Sequence, residues 1–361
     1  MVKHRDASSR QIVFIENRTM SQGHPVFYAG NVQLQSGRSF RNMKLAYTTY
    51  GTLNADRSNV IVLPTPFSAQ HPNVNFMVGS GCALDPDKYF IVVPDLFGNG
   101  LSSSPSNTPW PDVGDRYPQV TLHDAVKVQQ RMLAELWGIE RVKLVYGWSM
   151  GGMQAYELAA QFPSMVERIA VVCGAARCAP HNKVFIEGVS AALTADPAWQ
   201  DGVFTKTPVR GFRAMGRIYA SWGLSQTFFR QETWRQLGAT SLEDYLVAFW
   251  ETRFSHRDPS DLLAQFWSWT HGDISANDRY QGDFAAALSA IRARTLLMPC
   301  DHDLYFQVAD SEIELKHVRN GILMPIPSIW GHRAGSPTDQ PEDRAFIEQH
   351  VKALLAAESG I

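Results

Sequence analysis

The stretch Gly147-Trp148-Ser149-Met150-Gly151, directly after an apolar run and directly before a helical pattern, constrains this chain more than any other part of it. A strand that passes into a helix with no intervening loop must turn sharply, and a Cβ on either neighbour of the turn would collide; glycine at both flanks permits it. The serine is then held in a strained conformation that presents its hydroxyl. The first N–H groups of the helix, at its positive dipole end, face that oxygen and favour an oxyanion beside it. Gly152 extends the allowance for close packing. The pattern predicts a nucleophilic serine; a turn kept for folding alone is the alternative.

Strands and helices alternate around this turn. The N-terminal third reads as strands at 32–35, 43–50, 60–63 and 90–94, separated by turn chemistry at Ser36-Gly37 and Asn54-Ala55-Asp56. A helix follows over 121–137, with Val126, Met132, Leu133 and Leu136 near one face and Gly138 as its stop. Next come a strand at 142–146 and a helix over 151–161, ended by Pro163. Strands resume at 295–298 and 322–325, and a last helix covers 342–355. This order implies an α/β fold: a mostly parallel sheet with helices on both faces. Between 175 and 283 the alternation stops, no strong strand pattern is present, and six of the ten tryptophans gather (Trp199, Trp222, Trp234, Trp250, Trp267 and Trp269). We expect a helical cap with an apolar underside at 175–283, inserted into a core made of 1–174 and 284–361; any one of these tryptophans can equally be core packing. No internal repeat or low-complexity tract is visible.

Composition narrows the partners. The 361 residues carry a formal charge of −2, with Lys and Arg interspersed among acids, so no basic stripe is available to a phosphate backbone, and nucleic acid is not expected as a partner. The start at 1–6 is charged with no apolar stretch behind it, and no later apolar run is long enough to span a bilayer, so the expected location is the cytoplasm and no membrane partner is expected. Cys82, Cys173, Cys178 and Cys300 lack metal-ligand spacing and read as small buried hydrophobes.

A serine hydroxyl is a poor nucleophile at neutral pH, so a base must take its proton and an acid must fix the base's tautomer. In the α/β-hydrolase fold, which the serine turn suggests, the order along the chain is serine, acid, histidine. The strand at 295–298 runs into Asp301-His302-Asp303, which offers two carboxylates; Asp303 is the expected acid and Asp301 a turn cap. The strand at 322–325 leads to Gly331-His332, which makes His332 the expected base. The second oxyanion donor, beside the N–H of Met150, should come from Leu63-Pro64-Thr65-Pro66-Phe67-Ser68. The two prolines have no N–H, which leaves Thr65, or else Phe67. The glycines of Asp95-Leu96-Phe97-Gly98-Asn99-Gly100 are followed by no lysine and no helix, which argues against a phosphate loop.

The chain resembles the homoserine O-acetyltransferase-like branch of the α/β-hydrolases over nearly its whole length. The residues that carry the likeness are Gly79-Ser80-Gly81-Cys82-Ala83-Leu84-Asp85 through Phe90, Thr121 through Ile139, Gly147 through Gln154, Asp303 through Phe306, and Gly331-His332. The resemblance implies a helical cap over the serine, an acyl-serine intermediate, and no metal or bound prosthetic group. The homoserine enzymes commonly follow the catalytic histidine with an aspartate that holds the substrate ammonium; here Arg333 stands there. Their cap Tyr-Arg pair aligns nearest with Leu224-Ser225, while Arg217 matches another cap arginine. Arg217, Arg333, Phe67 and Trp148 are the expected substrate contacts. Hydrolysis of short-acyl esters is the first reading. Acyl transfer from acetyl-CoA as co-substrate to an alcohol other than homoserine is the second, and a non-catalytic binding protein on the same fold the third. The small-molecule partner is an ester or acyl donor, and a homodimer is the assembly left open.

Overall fold

The computed structural model describes residues 18–21, 23–109 and 116–358; the charged start at 1–6 lies outside the described residues. Short runs at β4 (Val60–Val62), β5 (Phe90–Pro94), β6 (Leu144–Trp148), β7 (Arg168–Val172) and β10 (Arg294–Met298) are buried at nearly every position, as strands covered on both faces must be. With β11 (Gly321–Leu323) they form six parallel strands. β1 (Arg18–Ser21), β2 (His24–Gln33) and β3 (Ser39–Tyr50) add an antiparallel edge through the β3–β5 pair. The sheet order is β1-β2-β3-β5-β4-β6-β7-β10-β11.

The sequence missed β1, β7 and two two-residue strands at Trp199–Gln200 and Val203–Phe204, and caught only the end of β2. An unbroken apolar run such as Ile169-Ala170-Val171-Val172 has no period to separate strand from helix, and β2 is interrupted by bulges near Gly30. The helix α1 (Leu122–Trp137) is bounded where expected: Thr121 and Asp124 form a capping box, and Gly138 closes the helix at φ 63°.

Successive residues of each strand face opposite sides, so two apolar layers form. Val62, Val145, Val171 and Leu297 pack with α1 and α2 (Met150–Gln161). Ile61, Tyr146, Val172 and Met298 face the other way, against Ile347, Val351 and Leu354 of the C-terminal helix Pro341–Ala356. Between β7 and β10 lie α3 (Pro180–Thr194), a hairpin of β8 (Trp199–Gln200) and β9 (Val203–Phe204), α4 (Val209–Gly223), α5 (Gln226–Arg230), α6 (Leu242–Tyr245) with a π-helical turn over Leu246–Trp250, α7 (Pro259–Thr270) and α8 (Phe284–Ser289). No helix among the described residues is long and apolar enough to cross a membrane.

One buried carboxyl ties α9 (Val308–Leu315) to α2 and the chain leaving β7. Glu314 accepts from the Tyr156 hydroxyl (2.8 Å) and from the Ala176 N–H (2.7 Å), and burial pushes its pKa up from 4.5 to about 7. As pH rises, the unfolded chain releases this proton first, so the carboxyl's share of stability is full below about 4.5, falls through that window and is gone above 7. Glu314→Gln should flatten that decline, worth on the order of 3 kcal/mol, as read by denaturant midpoints between pH 4.5 and 8; an unchanged pH slope would refute the assignment.

Candidate active site

In a parallel sheet every strand ends on the same edge, so the loops after β4, β6, β10 and β11 converge there. β6 passes directly into α2 through Ser149, whose φ of 59° and ψ of −127° mark the strained turn the sequence pattern demanded. A Cβ on Gly147 would collide with the Gly151 carbonyl, and one on Gly151 would lie 2.6 Å from Pro64 O, so the helix start seats directly against the loop after β4.

The loops after β10 and β11 bring Asp303 and His332 to Ser149. The Ser149 hydroxyl lies 2.9 Å from His332 Nε2, and His332 Nδ1 lies 2.8 Å from Asp303 Oδ2. Asp303 is itself fixed: its Oδ1 accepts from the N–H groups of Tyr305 (2.8 Å) and Phe306 (3.3 Å). The Trp148 ring stacks on the imidazole at 5.2 Å, the Tyr305 ring meets it edge-on at 4.8 Å, and the Trp148 indole N–H donates to the His332 carbonyl. With its Nδ1–H donated to the carboxylate, the imidazole keeps a lone pair on Nε2, and the ring can take the serine proton without reorienting. Asp301, two residues earlier, is exposed and makes only a backbone bond to Ile326 O. Cys173 is buried beside Asp303 and His332, and burial together with the Asp303 charge pushes its thiol up, keeping it protonated.

The expected oxyanion donor at Thr65 requires a correction. Its N–H donates to Pro94 O at 3.2 Å, continuing the β4–β5 pairing; its hydroxyl accepts from Leu96 N–H and its carbonyl from the Gln154 side chain. By contrast, the N–H groups of Phe67 and Met150 donate to no atom among the described residues, and Phe67 lines the cavity beside Ser149.

That cavity offers about 50 Å³ to a water-sized molecule and is walled by Phe67, Trp148, Tyr219, Trp250, Phe254, Trp269 and Tyr305, with Arg253 and Arg333. Phe67 stacks on Phe266 at 4.5 Å and on Tyr219 at 5.9 Å. Of the six tryptophans in 175–283, only Trp250 and Trp269 reach it; Trp199 pairs with Phe204 in the hairpin and Trp267 stacks on His271. The expectation for Arg217 also requires correction. It does not line the cavity; its guanidinium is engaged by Glu251 (2.7 Å) and Glu243 (2.5 Å) on the outer side of α4.

Residues 73–312 match the family described as alpha/beta hydrolase fold. The chain belongs to this family. This α/β hydrolase is 37% identical to an ethyl acetate hydrolase of Pseudomonas veronii over 91% of its own length and 94% of the relative's. It superposes on the solved structure of the acetyl esterase MekB with a TM-score of 0.89 at 36% identity, covering 94% of this chain and 99% of that one. The resemblance to the homoserine branch is also found: a homoserine O-acetyltransferase of Zymomonas mobilis is 29% identical over 79% of this chain and 83% of its own. Sequence reasoning about this hydrolase overlooked Arg253. Its one visible signal was a cation set between aromatic residues, Trp250 and Phe254, in the tryptophan-rich segment.

Proposed function

We propose that this α/β hydrolase cleaves short-acyl carboxylic esters through an acyl-enzyme on Ser149, with His332 as general base and Asp303 as the acid that orients it. The 2.9 Å contact between Ser149 Oγ and His332 Nε2 carries this reading. Ser149 attacks the ester carbonyl as His332 takes its proton; the N–H groups of Met150 and Phe67 hold the resulting oxyanion. His332 then protonates the departing alcohol, and the same base activates water to release the acid. All of these groups belong to this chain. The small cavity and the likeness to an ethyl acetate hydrolase and an acetyl esterase support a short acyl group. The segment 175–283 acts as the cap over this site, and with four free cysteines the protein suits a reducing cytoplasm. Incubation of the purified protein with ethyl acetate should release free acetate; no acetate above the rate of a boiled control would refute the reading.

The second reading, transfer of acetyl from acetyl-CoA to an alcohol, is favoured by the homoserine O-acetyltransferase relatives. Homoserine itself should fail as the acceptor. Arg253 and Arg333 line the cavity and no Asp or Glu does, so an ammonium meets like charge where it needs a carboxylate. At close range that repulsion is worth about 2–4 kcal/mol, so O-acetylhomoserine formation should run at least about 30-fold below ester hydrolysis. Mass spectrometry of a mixture of acetyl-CoA and L-homoserine checks this; efficient transfer would overturn the argument.

A further inference from the structure

We propose that Arg253 and Arg333 form a carboxylate subsite beside Ser149 that selects esters whose alcohol part carries a carboxylate and no ammonium group, that is, O-acylated hydroxy acids other than amino acids. The proposal rests on the hydrolytic reading above and specifies its substrate class.

Two guanidiniums line one cavity whose wall contains no Asp or Glu. Among the described residues Arg253 pairs with no carboxylate; it packs instead against the rings of Trp250 and Phe254 at 5.5 and 5.9 Å. Among the described residues Arg333 has one long ion pair, 3.8 Å to the exposed Asp339; it lies over Trp330 and also interacts with the Tyr245 hydroxyl. Arg253 is exposed as a residue, but partial desolvation of its guanidinium against the cavity wall and, after that, the nearby charge of Arg333 hold it below its ordinary pKa. Arg217 on the same cap shows the usual alternative, a guanidinium satisfied by two glutamates. Like charges held together without a counter-ion are unfavourable, and an anion between them removes that cost.

A second set of groups points the same way. The Tyr219 and Tyr305 hydroxyls and the Trp269 indole N–H belong to cavity-lining residues, are buried, and have no hydrogen-bond partner within the described residues. Buried polar groups nearly always have partners. The indole N–H only donates and the two hydroxyls can donate, as the guanidiniums do, and a carboxylate offers only acceptors.

The chemistry fixes which part of the ester carries the charge. His332 returns its proton to the leaving alkoxide, so the alcohol lies on the histidine side of the acyl carbon, and Arg333 is the next residue. The limited open space keeps the carboxylate within one or two carbons of the ester oxygen. For acetoxyacetate, the bond from Ser149 Oγ to the acetyl carbon forms as the bond to glycolate breaks. Glycolate takes the proton from His332, and water then frees acetate from the serine.

The test compares kcat/KM for acetoxyacetate with that for isobutyl acetate, a neutral analogue of the same shape, in the wild type and in Arg333→Gln, Arg253→Met and Arg253→Lys. Taking the ratio within each variant cancels intrinsic reactivity. The ratio should fall at least about tenfold in Arg333→Gln and Arg253→Met, mainly through KM, while Arg253→Lys retains it. Binding of acetoxyacetate to Ser149→Ala, followed by calorimetry, gives a readout without turnover and should be lost when Arg333→Gln is added. If isobutyl acetate is hydrolysed and the ratio is the same in all variants, the subsite is refuted while hydrolysis stands. A preference for monoethyl malonate over acetoxyacetate would overturn the assignment by placing the charge on the acyl side. If no ester is cleaved but Ser149→Ala binds acetoxyacetate through Arg333, the subsite stands and the hydrolytic reading falls.

Discussion

Ser149→Ala should lower the hydrolysis of ethyl acetate by on the order of 10⁴-fold or more while leaving the folded protein intact. The substitution removes one oxygen, the atom 2.9 Å from His332 Nε2, and keeps the Cβ that the turn already accommodates at φ 59°. The strained backbone is imposed by the fit of α2 against Pro64 and of Gly147 against Gly151, and none of those contacts involves the hydroxyl. Melting temperature and far-UV circular dichroism should therefore match the wild type. The N–H groups of Met150 and Phe67 survive in this variant, so a residual rate above that of water is expected. A variant within tenfold of wild type would exclude the covalent route.

Asp303→Asn should cost on the order of 10⁴-fold, and Asp301→Asn no more than a few-fold. The difference follows from the hydrogen bonds. An asparagine at 303 can keep its oxygen on the Tyr305 and Phe306 N–H groups, which turns its NH₂ toward His332 Nδ1. The imidazole must then accept at Nδ1 and carry its proton on Nε2, where it faces the serine hydroxyl and can no longer take a proton from it. The geometry is retained and the tautomer is wrong. Asp301 is exposed and touches neither ring nitrogen, so its loss leaves the proton path unchanged. Parallel rate measurements on both variants decide the matter, and equal losses would show that the carboxylate had been misassigned.

The sequence by itself determined what a few consecutive residues impose on one another. Gly147 to Gly151 dictated the turn, because its glycines answer a collision between near neighbours, and Thr121 with Gly138 bounded α1 through local capping bonds. That Ser149, Asp303 and His332 come together was legible because each residue follows a readable apolar run. What the chain could not reveal was where a backbone or side-chain group spends its hydrogen bond or charge across the fold. The Thr65 N–H is taken by Pro94 because β4 pairs with β5, and that pairing has no signature in Leu63-Pro64-Thr65. The exchange of Arg217 for Arg253 is of the same kind. Both lie within 175–283, and only the packing of α4 against the π-helical turn decides that one meets Glu251 and Glu243 while the other faces the cavity. Ser149 and His332 are 183 residues apart and meet at 2.9 Å because β6 and β11 end on the same edge of one parallel sheet; strand order is set by long-range pairing, which only the tertiary structure displays.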